Sequence, residues 1–220
     1  MLLKKEDIIV LLSGGIDSTT LLWLSKKMFN KVYAISFDYG QKHKVELSYA
    51  KEIAKIADVE RHFIATIPYL KDLGSNALTD ESIEVPSESY TDEPPITTVP
   101  MRNLIFLSIA ASYADVYGIE NIGIGVHSLD SPYPDCRAEF ISSAEAAINA
   151  SSVMVAKKKN RIKIFSPFLG MTKTDIVKLG YDLGVPFEKT YSCYKGTEPP
   201  CGECATCRQR KEALKILEKR

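Results

Sequence analysis

Residues 7–20 read DIIVLLSGGIDSTT and decide the fold, because an apolar run, a glycine loop and a helical pattern follow one another there. The run from Asp7 to Leu12 predicts a buried strand, and Ser18 to Met28 has helical spacing. Between them, Gly14 and Gly15 permit a close backbone approach and dihedral angles that are closed to other residues. The N-terminus of the following helix offers unpaired N–H groups and a positive dipole end. This order of features predicts a phosphate-binding loop.

The same alternation of strand and helix continues along the chain. Further strands are predicted at residues 31–37, 61–66, 121–126 and 162–165, and helices at 45–57, 102–117, 140–150, 173–183 and 205–219. Strands separated by helices form βαβ units, so we expect an α/β fold with a doubly wound, mainly parallel five-stranded sheet. Ligands of such sheets bind beyond the carboxyl ends of the strands.

Composition narrows the class of partner. Lysine and arginine total 28, as do aspartate and glutamate, so the formal net charge is zero and a nucleic-acid partner is not expected. The longest mostly apolar stretch, residues 104–114, is shorter than the about 20 residues that cross a bilayer, and no membrane role is expected. The N-terminal residues read as a first strand and not as a signal peptide, which predicts a reducing, cytoplasmic location.

The loop itself carries groups suited to a nucleotide. Ser13, Ser18 and Thr19 supply hydroxyls, and Asp17 supplies a carboxylate of the kind that Mg²⁺ prefers. No lysine lies in the loop, so it is not the GxxxxGK[ST] phosphate loop. It resembles the PP-loop of the ATP pyrophosphatases, whose signature is SGGxDS. That resemblance implies an adenine nucleotide alpha hydrolase-like fold, in which AMP is attached to a substrate and pyrophosphate leaves. The alternative is a Ser/Gly turn in which Asp17 only caps a helix.

Four of the five cysteines lie close together near the end of the sequence. Cys193, Cys201, Cys204 and Cys207 have the spacing C-x7-C-x2-C-x2-C, which predicts a closed tetrahedral site for structural Zn²⁺. An iron–sulfur cluster is the rival, and unligated reactive cysteines are a further alternative. We therefore divide the chain into a PP-loop ATP pyrophosphatase domain, residues 1–190, and a zinc-binding helical appendage, residues 191–220. The metal is expected to pin the C-terminal helix to the core.

Three more motifs carry a closer resemblance. FDYGQ at residues 37–41 is followed by His43, VPMRN lies at 99–103, and YPDCR lies at 133–137. With SGGIDSTT and the cysteines, they resemble the QueC family of 7-cyano-7-deazaguanine synthases over almost the whole chain. The resemblance implies a ligase that converts 7-carboxy-7-deazaguanine and ammonium to the 7-nitrile through adenylated intermediates, using two molecules of ATP. The product would serve queuosine or archaeosine biosynthesis.

The resemblance also implies roles for individual residues. Catalytic roles are expected for Asp17, Ser18, Arg102 and Lys173. Substrate binding is expected of Asp130, Tyr133, Asp135 and Arg137. Binding of ATP and Mg²⁺ is expected of Leu12, Ser13, Gly14, Gly15, Ile16, Asp17, Ser18, Thr19, Thr20, Leu21, Leu22, Asp38, Tyr39 and Gln41. A carboxylate at 130 or 135 suits the N1–H and exocyclic amine of the base, and the Arg102 fork suits a phosphate or carboxylate.

The sequence departs from the family pattern at two places. Met101 stands where members usually have glycine or alanine. Residues 127–133, HSLDSPY, replace a cysteine-containing segment that is one residue longer. We expect this segment to touch the base, and we expect the departures to leave adenylation unchanged.

Several simpler interpretations stay open. Residues 38–40 could form only a turn, Arg102 could be exposed, and Lys173 could belong to a helix-start charge pattern. His43 is interpreted as a surface residue in preference to a general base, and His127 as structural.

Residues 67–100 are polar and rich in proline, which indicates a lid, an arm of a homodimer or disorder. The competing functions are a tRNA-thiolating enzyme with the same loop and a non-catalytic ATP-binding adaptor.

Overall fold

A parallel sheet forms the centre of the computed structural model, which describes residues 6–87, 94–127, 130, 132–157 and 160–219. Within these residues the sheet has five strands in the order β3-β2-β1-β4-β5, and every neighbouring pair is parallel. The strands are β1 (Ile8–Leu11), β2 (Val32–Asp38), β3 (His62–Thr66), β4 (Asn121–Gly123) and β5 (Lys163–Phe165). The predicted five-stranded parallel sheet is confirmed.

Helices cover both faces of the sheet. They are α1 (Ile16–Met28), α2 (Glu46–Ile56), α3 (Tyr69–Asp72), α4 (Arg102–Tyr117), α5 (Ala138–Ser151), α6 (Val153–Ala156), α7 (Lys173–Asp182) and α8 (Ala205–Leu214). Because successive strand residues point to opposite faces, Ile9 and Leu11 of β1 join one core, and Ile8 and Val10 join the other. The first core contains residues of α3 to α6, and the second contains residues of α1, α2, α7 and α8. The doubly wound arrangement is therefore confirmed.

The strand order places a crevice of the kind that binds ligands in parallel sheets next to β1. From β1 the chain adds β2 and β3 on one side, and later adds β4 and β5 on the other. The order thus reverses between β1 and β4, where the loops on either side leave a crevice at the carboxyl ends. The glycine loop follows β1 directly, so it lies at this crevice.

Two boundaries of the predicted elements differ from the expectation by three residues or more. β4 ends at Gly123 rather than near residue 126, and the C-terminal α-helix ends at Leu214, after which residues Lys215–Lys219 form a 3₁₀ helix. Neither difference changes the order of elements. In the part of the chain that the structure describes, no helix is long and apolar enough to cross a bilayer.

The expectation of disorder for residues 67–100 is wrong over the described ranges 67–87 and 94–100. Residues 88–93 lie outside the described part. The segment contains α3, and Leu70, Leu78 and Val99 are buried in the core that α4 also covers. Scattered apolar residues within a polar segment anchor it by long-range packing, which local composition does not reveal.

Met101 begins α4 in a conformation that suits glycine. Its φ is 57° and its ψ is 16°, which is the left-handed region, and its side chain is 66% exposed. A non-glycine residue in this region costs roughly 1–2 kcal/mol. An exposed side chain contributes little packing in return.

We predict that Met101→Gly raises the free energy of unfolding by about 1 kcal/mol, because it relieves this backbone cost. Urea unfolding measures the change. The matched control is Met28→Gly, at the exposed last residue of α1, which should lower stability by a similar amount because glycine disfavours helix. A Met101→Gly protein less stable than the wild type would contradict the argument.

Candidate active site

The loop between β1 and α1 is held by hydrogen bonds among its own hydroxyls. Ser18 Oγ accepts from Ser13 N at 3.2 Å, lies 3.0 Å from Ser13 Oγ and donates to Gly15 O at 3.2 Å. Gly15 is the N-cap of α1, and among the described residues no side chain caps this helix end. The first N–H groups of α1 are therefore available to an anion, where the helix dipole also favours negative charge.

Gly14 fixes the position of the loop against two other parts of the chain. Its φ is +81°, and a Cβ there would lie 2.9 Å from Ala50 N and 3.0 Å from Glu46 O in α2. On the opposite side, Gly14 O accepts a hydrogen bond from Tyr191 N at 2.9 Å. Gly15 lacks this requirement, since its φ is −80°. The expectation of unusual dihedral angles thus holds at the first glycine alone.

A charged cluster lies at the start of α1. The Asp17 carboxylate is paired with Lys173 Nζ, the first residue of α7, and Asp17 Oδ2 lies 3.7 Å from His127 Nε2. The same nitrogen of His127 is 3.7 Å from Asp130 Oδ2, which accepts a hydrogen bond from His127 N at 3.1 Å. Within the described structure, Asp17 Oδ1 is buried without a hydrogen-bond partner. A buried carboxylate oxygen of this kind suits a cation.

His127, which the sequence analysis interprets as structural, lies at the candidate active site. It lies inside the charged cluster and was missed as a site residue. Because it lies beside Asp17, the segment that departs from the family pattern reaches the PP-loop. The expectation that the departures leave adenylation unchanged stays a prediction. Residues 128, 129 and 131 of that segment lie outside the described part.

A cavity of about 240 Å³ opens at the carboxyl ends of β1, β2 and β4. One wall is aromatic, with Phe37 and Phe106 stacked at a centroid distance of 3.9 Å. Arg102 also lines this cavity, and its Nη1 donates to Tyr39 Oη at 3.4 Å. Burial raises the pKa of Tyr39 to about 12, although Arg102 opposes that shift. Both residues therefore face the crevice, and Arg102 is not an exposed helix residue.

A second cavity of about 130 Å³ adjoins the first. It is lined by polar residues from α7, from the segment before the cysteines and from α8, including Lys173, Ser192 and Gln209. The residues that line both cavities are Ser13, Asp17, His43, Glu46, Asp130 and Tyr194. The two cavities thus meet directly above the PP-loop.

His43 is buried, so its interpretation as a surface residue is wrong. Only 4% of its side chain is exposed, and its Nε2 lies 3.5 Å from Glu46 Oε1. Burial, assisted by Arg102, lowers the pKa of His43 to about 3. Burial raises the pKa of Glu46 to about 7, against the opposing effects of Gln41 and Arg102. The sequence signal that would have found them is their place just after the motif that ends β2.

Gln41 and Asp38 lie outside the described lining of the two cavities and bond to residues near it. Gln41 Oε1 accepts from Tyr39 N at 2.8 Å, and its Nε2 donates to Phe37 O at 2.9 Å and to Glu46 Oε1 at 3.1 Å. Asp38 pairs with Lys44 at 2.7 Å. Neither is among the described residues that line the two cavities.

The residues expected to bind the substrate divide into two groups. Asp130 and Tyr133 line the larger cavity, whereas Asp135 and Arg137 are not among the described residues that line either one. Asp135 Oδ2 accepts from Asn103 N at 2.9 Å, so this carboxylate holds the start of α4. Arg137 is exposed at the N-cap of α5.

The remaining sequence-predicted residues divide in the same way. Those that line one or both cavities are Leu12, Ser13, Gly15, Ile16, Asp17, Ser18, Tyr39, Arg102 and Lys173. Seven predicted residues are not among the described residues that line a cavity: Gly14, Thr19, Thr20, Leu21, Leu22, Asp38 and Gln41. Thr19, Thr20, Leu21 and Leu22 are buried within α1, whose later turns pack into the core. Tyr191 and Tyr194, which do line the cavities, were missed.

The four clustered cysteines come together as the spacing predicts. Their sulfur atoms all lie within 4.8 Å of one another, and Cys201 Sγ is 3.9 Å from Cys207 Sγ. Four sulfurs bound to one zinc ion at about 2.3 Å lie about 3.8 Å apart at the corners of a tetrahedron. Backbone N–H groups point at two of them, from Cys201 to Cys193 Sγ at 3.5 Å and from Cys204 to Cys201 Sγ at 3.4 Å. This set of donors can bind a metal ion.

Comparisons with known proteins agree with this geometry. A family model described as "Queuosine biosynthesis protein QueC" matches residues 7–218. A 7-cyano-7-deazaguanine synthase from Sulfurihydrogenibium sp. is 78% identical, covering 97% of this chain and 96% of the relative. One from Persephonella marina is 71% identical, covering 97% of this chain and 94% of the relative.

A solved structure shows the same fold at low identity. The NMN synthetase from Francisella tularensis matches with a TM-score of 0.55 and 14% identity, covering 99% of this chain and 79% of that one. At this identity the likeness supports the fold alone. The family match spans the PP-loop, the residues around both cavities and the cysteine cluster. The chain therefore belongs to the QueC family.

Proposed function

We propose that this chain is a ligase that converts 7-carboxy-7-deazaguanine and ammonia to 7-cyano-7-deazaguanine at the expense of ATP. Family membership supports the reaction. The observation that carries the proposal is the uncapped N-terminus of α1, which opens beside Asp17 and Lys173 where the two cavities meet. Such a site favours a triphosphate on one side and an acid substrate on the other.

The reaction needs two activations because a carboxylate is a poor electrophile. Its oxygen attacks the α-phosphorus of ATP, pyrophosphate leaves, and an acyl-adenylate forms. Ammonia displaces AMP to give the amide, and a second adenylation on the amide oxygen lets AMP leave as the nitrile forms. The N–H groups at the start of α1 stabilise the phosphate oxygens during each attack. Lys173 and Arg102 offset negative charge as pyrophosphate departs.

We also propose that Asp17 holds Mg²⁺, with ATP as the other ligand. Its Oδ1 atom is buried and lacks a partner among the described residues, which supports this role. Mg²⁺ supplies positive charge to the phosphates when it is bound. Lys173, paired with the other oxygen of Asp17, orients the carboxylate.

For the base we propose Asp130 and Tyr133 as the residues that contact the substrate. Asp130 lines both cavities and carries acceptor oxygens that match the N1–H and exocyclic amine of a deazaguanine. Asp135, which the family pattern also suggests, would act by holding the start of α4 through the bond that it accepts from Asn103 N. We propose no substrate contact for Arg137, which is exposed at the N-cap of α5.

We propose Zn²⁺ as the metal of the cysteine cluster. Sulfur atoms in mutual contact suit a single ion, whereas thiolates on separate irons of a cluster lie farther apart. Its role would be structural, because four protein ligands leave no open position.

The tRNA-thiolating alternative is less well supported. It needs a sulfur-carrying cysteine at the site, and Cys136 is the cysteine that lines the larger cavity. Burial, together with Asp130 and Asp135, raises the pKa of the Cys136 thiol, so it stays protonated and unreactive. The zero net charge also disfavours tRNA docking.

The oligomeric state, the cellular location and the pathway of the product stay proposals. We propose a homodimer, for which the exposed apolar side chains of Val116 and Tyr117 on α4 offer a surface. A reducing, cytoplasmic location suits a cluster of free thiols. Membership of the QueC family indicates that the product serves queuosine biosynthesis. A role in archaeosine biosynthesis is a further proposal.

We predict that the purified protein, given ATP, Mg²⁺, ammonium and 7-carboxy-7-deazaguanine, releases AMP, pyrophosphate and the nitrile. Chromatography with mass spectrometry measures all three products. ADP as the nucleotide product would contradict adenylation. AMP without nitrile would leave adenylation standing and require a different substrate.

We predict that Asp17→Asn lowers the rate of AMP formation by about 10²-fold or more, because the metal and the transferring phosphoryl group lose their charged partner. Circular dichroism should show a retained fold. The matched control is Asp72→Asn, at an exposed position on α3, which should leave the rate unchanged. Equal rates for the two variants would rule out the metal role of Asp17.

We predict one zinc ion and no iron per chain by elemental analysis. Cys201→Ser should abolish stoichiometric zinc and lower the thermal midpoint, because a structural metal contributes to folding. Cys136→Ser, outside the cluster, is the control and should keep one zinc per chain. Strong visible absorbance with bound iron would favour an iron–sulfur cluster instead.

A further inference from the structure

Two buried residues lie where the two cavities meet and have no part in the adenylation described above. His43 and Glu46 line both cavities, and both follow β2 at the start of α2. The side chains are 4% and 15% exposed. They lie on the PP-loop side of the crevice, since Gly14 approaches the backbone of Glu46.

The partners of Glu46 distinguish it from the other carboxylates at this junction. Asp17 is paired with Lys173, and Asp130 accepts the N–H of His127 and faces its ring. Glu46 Oε1 instead accepts from the neutral amide of Gln41 at 3.1 Å and faces His43 Nε2 at 3.5 Å. Arg102 acts on Glu46 only as a nearby charge.

His43 adds an unused acceptor. Burial keeps the imidazole neutral by lowering its pKa to about 3. His43 Nε2 lies 3.5 Å from Glu46 Oε1, and within the described residues His43 Nδ1 is buried without a hydrogen-bond partner. In the neutral ring whose Nε2 carries the proton, Nδ1 is an acceptor. The pair therefore offers a carboxylate and an imidazole lone pair to a small group that has only donors.

We infer that His43 and Glu46 form the site that binds ammonium and removes its proton before attack on the acyl-adenylate. The inference rests on the proposed function and names the residues that supply its nucleophile. Ammonium is a small cation with four N–H donors and no acceptor, which matches this pair. A carboxylate with a pKa raised to about 7 is also a stronger base than an ordinary one.

The proton and electron balance is simple. One N–H bond of ammonium breaks, its electron pair stays on nitrogen, and the proton moves to the Glu46 carboxylate. Ammonia then attacks the acyl carbon, a C–N bond forms, and the C–O bond to AMP breaks so that AMP leaves with that electron pair. A second proton leaves the former ammonia nitrogen for water, and Glu46 later returns its own proton to solvent.

The competing explanation is structural. Glu46 is the first residue of α2, where a carboxylate stabilises the helix dipole. A residue with that role alone would affect folding and every step of the reaction to a similar extent. A base for ammonium would affect one step and one nucleophile.

The test compares two nucleophiles in Glu46→Gln, a change that keeps the size of the side chain and an acceptor for Gln41. Ammonium-dependent amide formation should fall by about 10²-fold. Hydroxylamine is largely unprotonated near neutral pH and needs no base, so hydroxamate formation should stay within about threefold of the wild type, a spread of only about 0.7 kcal/mol. Substrate-dependent exchange between pyrophosphate and ATP, which precedes the nucleophile, should persist.

Two further variants complete the design. His43→Asn should raise the KM for ammonium while exchange persists, and Glu52→Gln, at an exposed position on α2 paired with Lys189, should match the wild type in all assays. Equal losses with ammonium, with hydroxylamine and in exchange would overturn the inference, as would an unchanged ammonium rate in Glu46→Gln. Absence of exchange in the wild type would instead mean that the proposed function has failed.

Discussion

The close contact of Gly14 with α2 is the constraint on which the rest of the site depends. A Cβ at this position would overlap the backbone of α2, so the loop can lie this close to the helix only if residue 14 is glycine. Tyr191 N holds the same residue from the other side through Gly14 O. The loop is therefore fixed between two elements, and the N–H groups at the start of α1 keep one direction without a ligand. Binding a phosphate then requires little reorganisation, which is what electrostatic catalysis needs.

The hydrogen bond from Tyr191 N to Gly14 O links the cysteine cluster near the end of the sequence to the loop near its start. Cys193 is fully buried, and the residues beside it, Tyr191 and Tyr194, line the cavities. A Cβ at Gly196 would lie 2.5 Å from Lys42 O, so the cysteine loop also packs on the backbone next to His43. The cysteine segment thus forms part of the wall of the site as well as the start of α8. This supports the proposal that a metal ion held by the cysteines orders the active site. The proposed boundary at residue 190 therefore divides the sequence but does not separate the cysteine segment from the site.

Local patterns predicted the parts of the molecule that local physics determines. The spacing of apolar residues along the sequence predicts the order of strands and helices. Short motifs with fixed spacing predict the loop and the cysteine cluster. Burial of His43, Leu70 and Leu78 could not be read in this way, because it depends on partners far along the chain. Asp130 and Asp135 looked equivalent in sequence. Only the bond from Asn103 N to Asp135 shows that one carboxylate holds a helix while the other faces the cavities.

The position of His127 connects the carboxylate proposed to hold the metal with the carboxylate proposed to bind the base. Its ring lies between Asp17 of the PP-loop and Asp130 of the segment that departs from the family pattern, 3.7 Å from a carboxylate oxygen of each. A change of residue at 127 therefore alters the surroundings of both Asp17, the proposed metal ligand, and Asp130, the proposed ligand of the base. Burial raises the pKa of Asp130, and His127 opposes that shift, so the histidine helps to keep Asp130 ionised as an acceptor. A protein of this family that has another residue at this position must balance those two carboxylates in a different way.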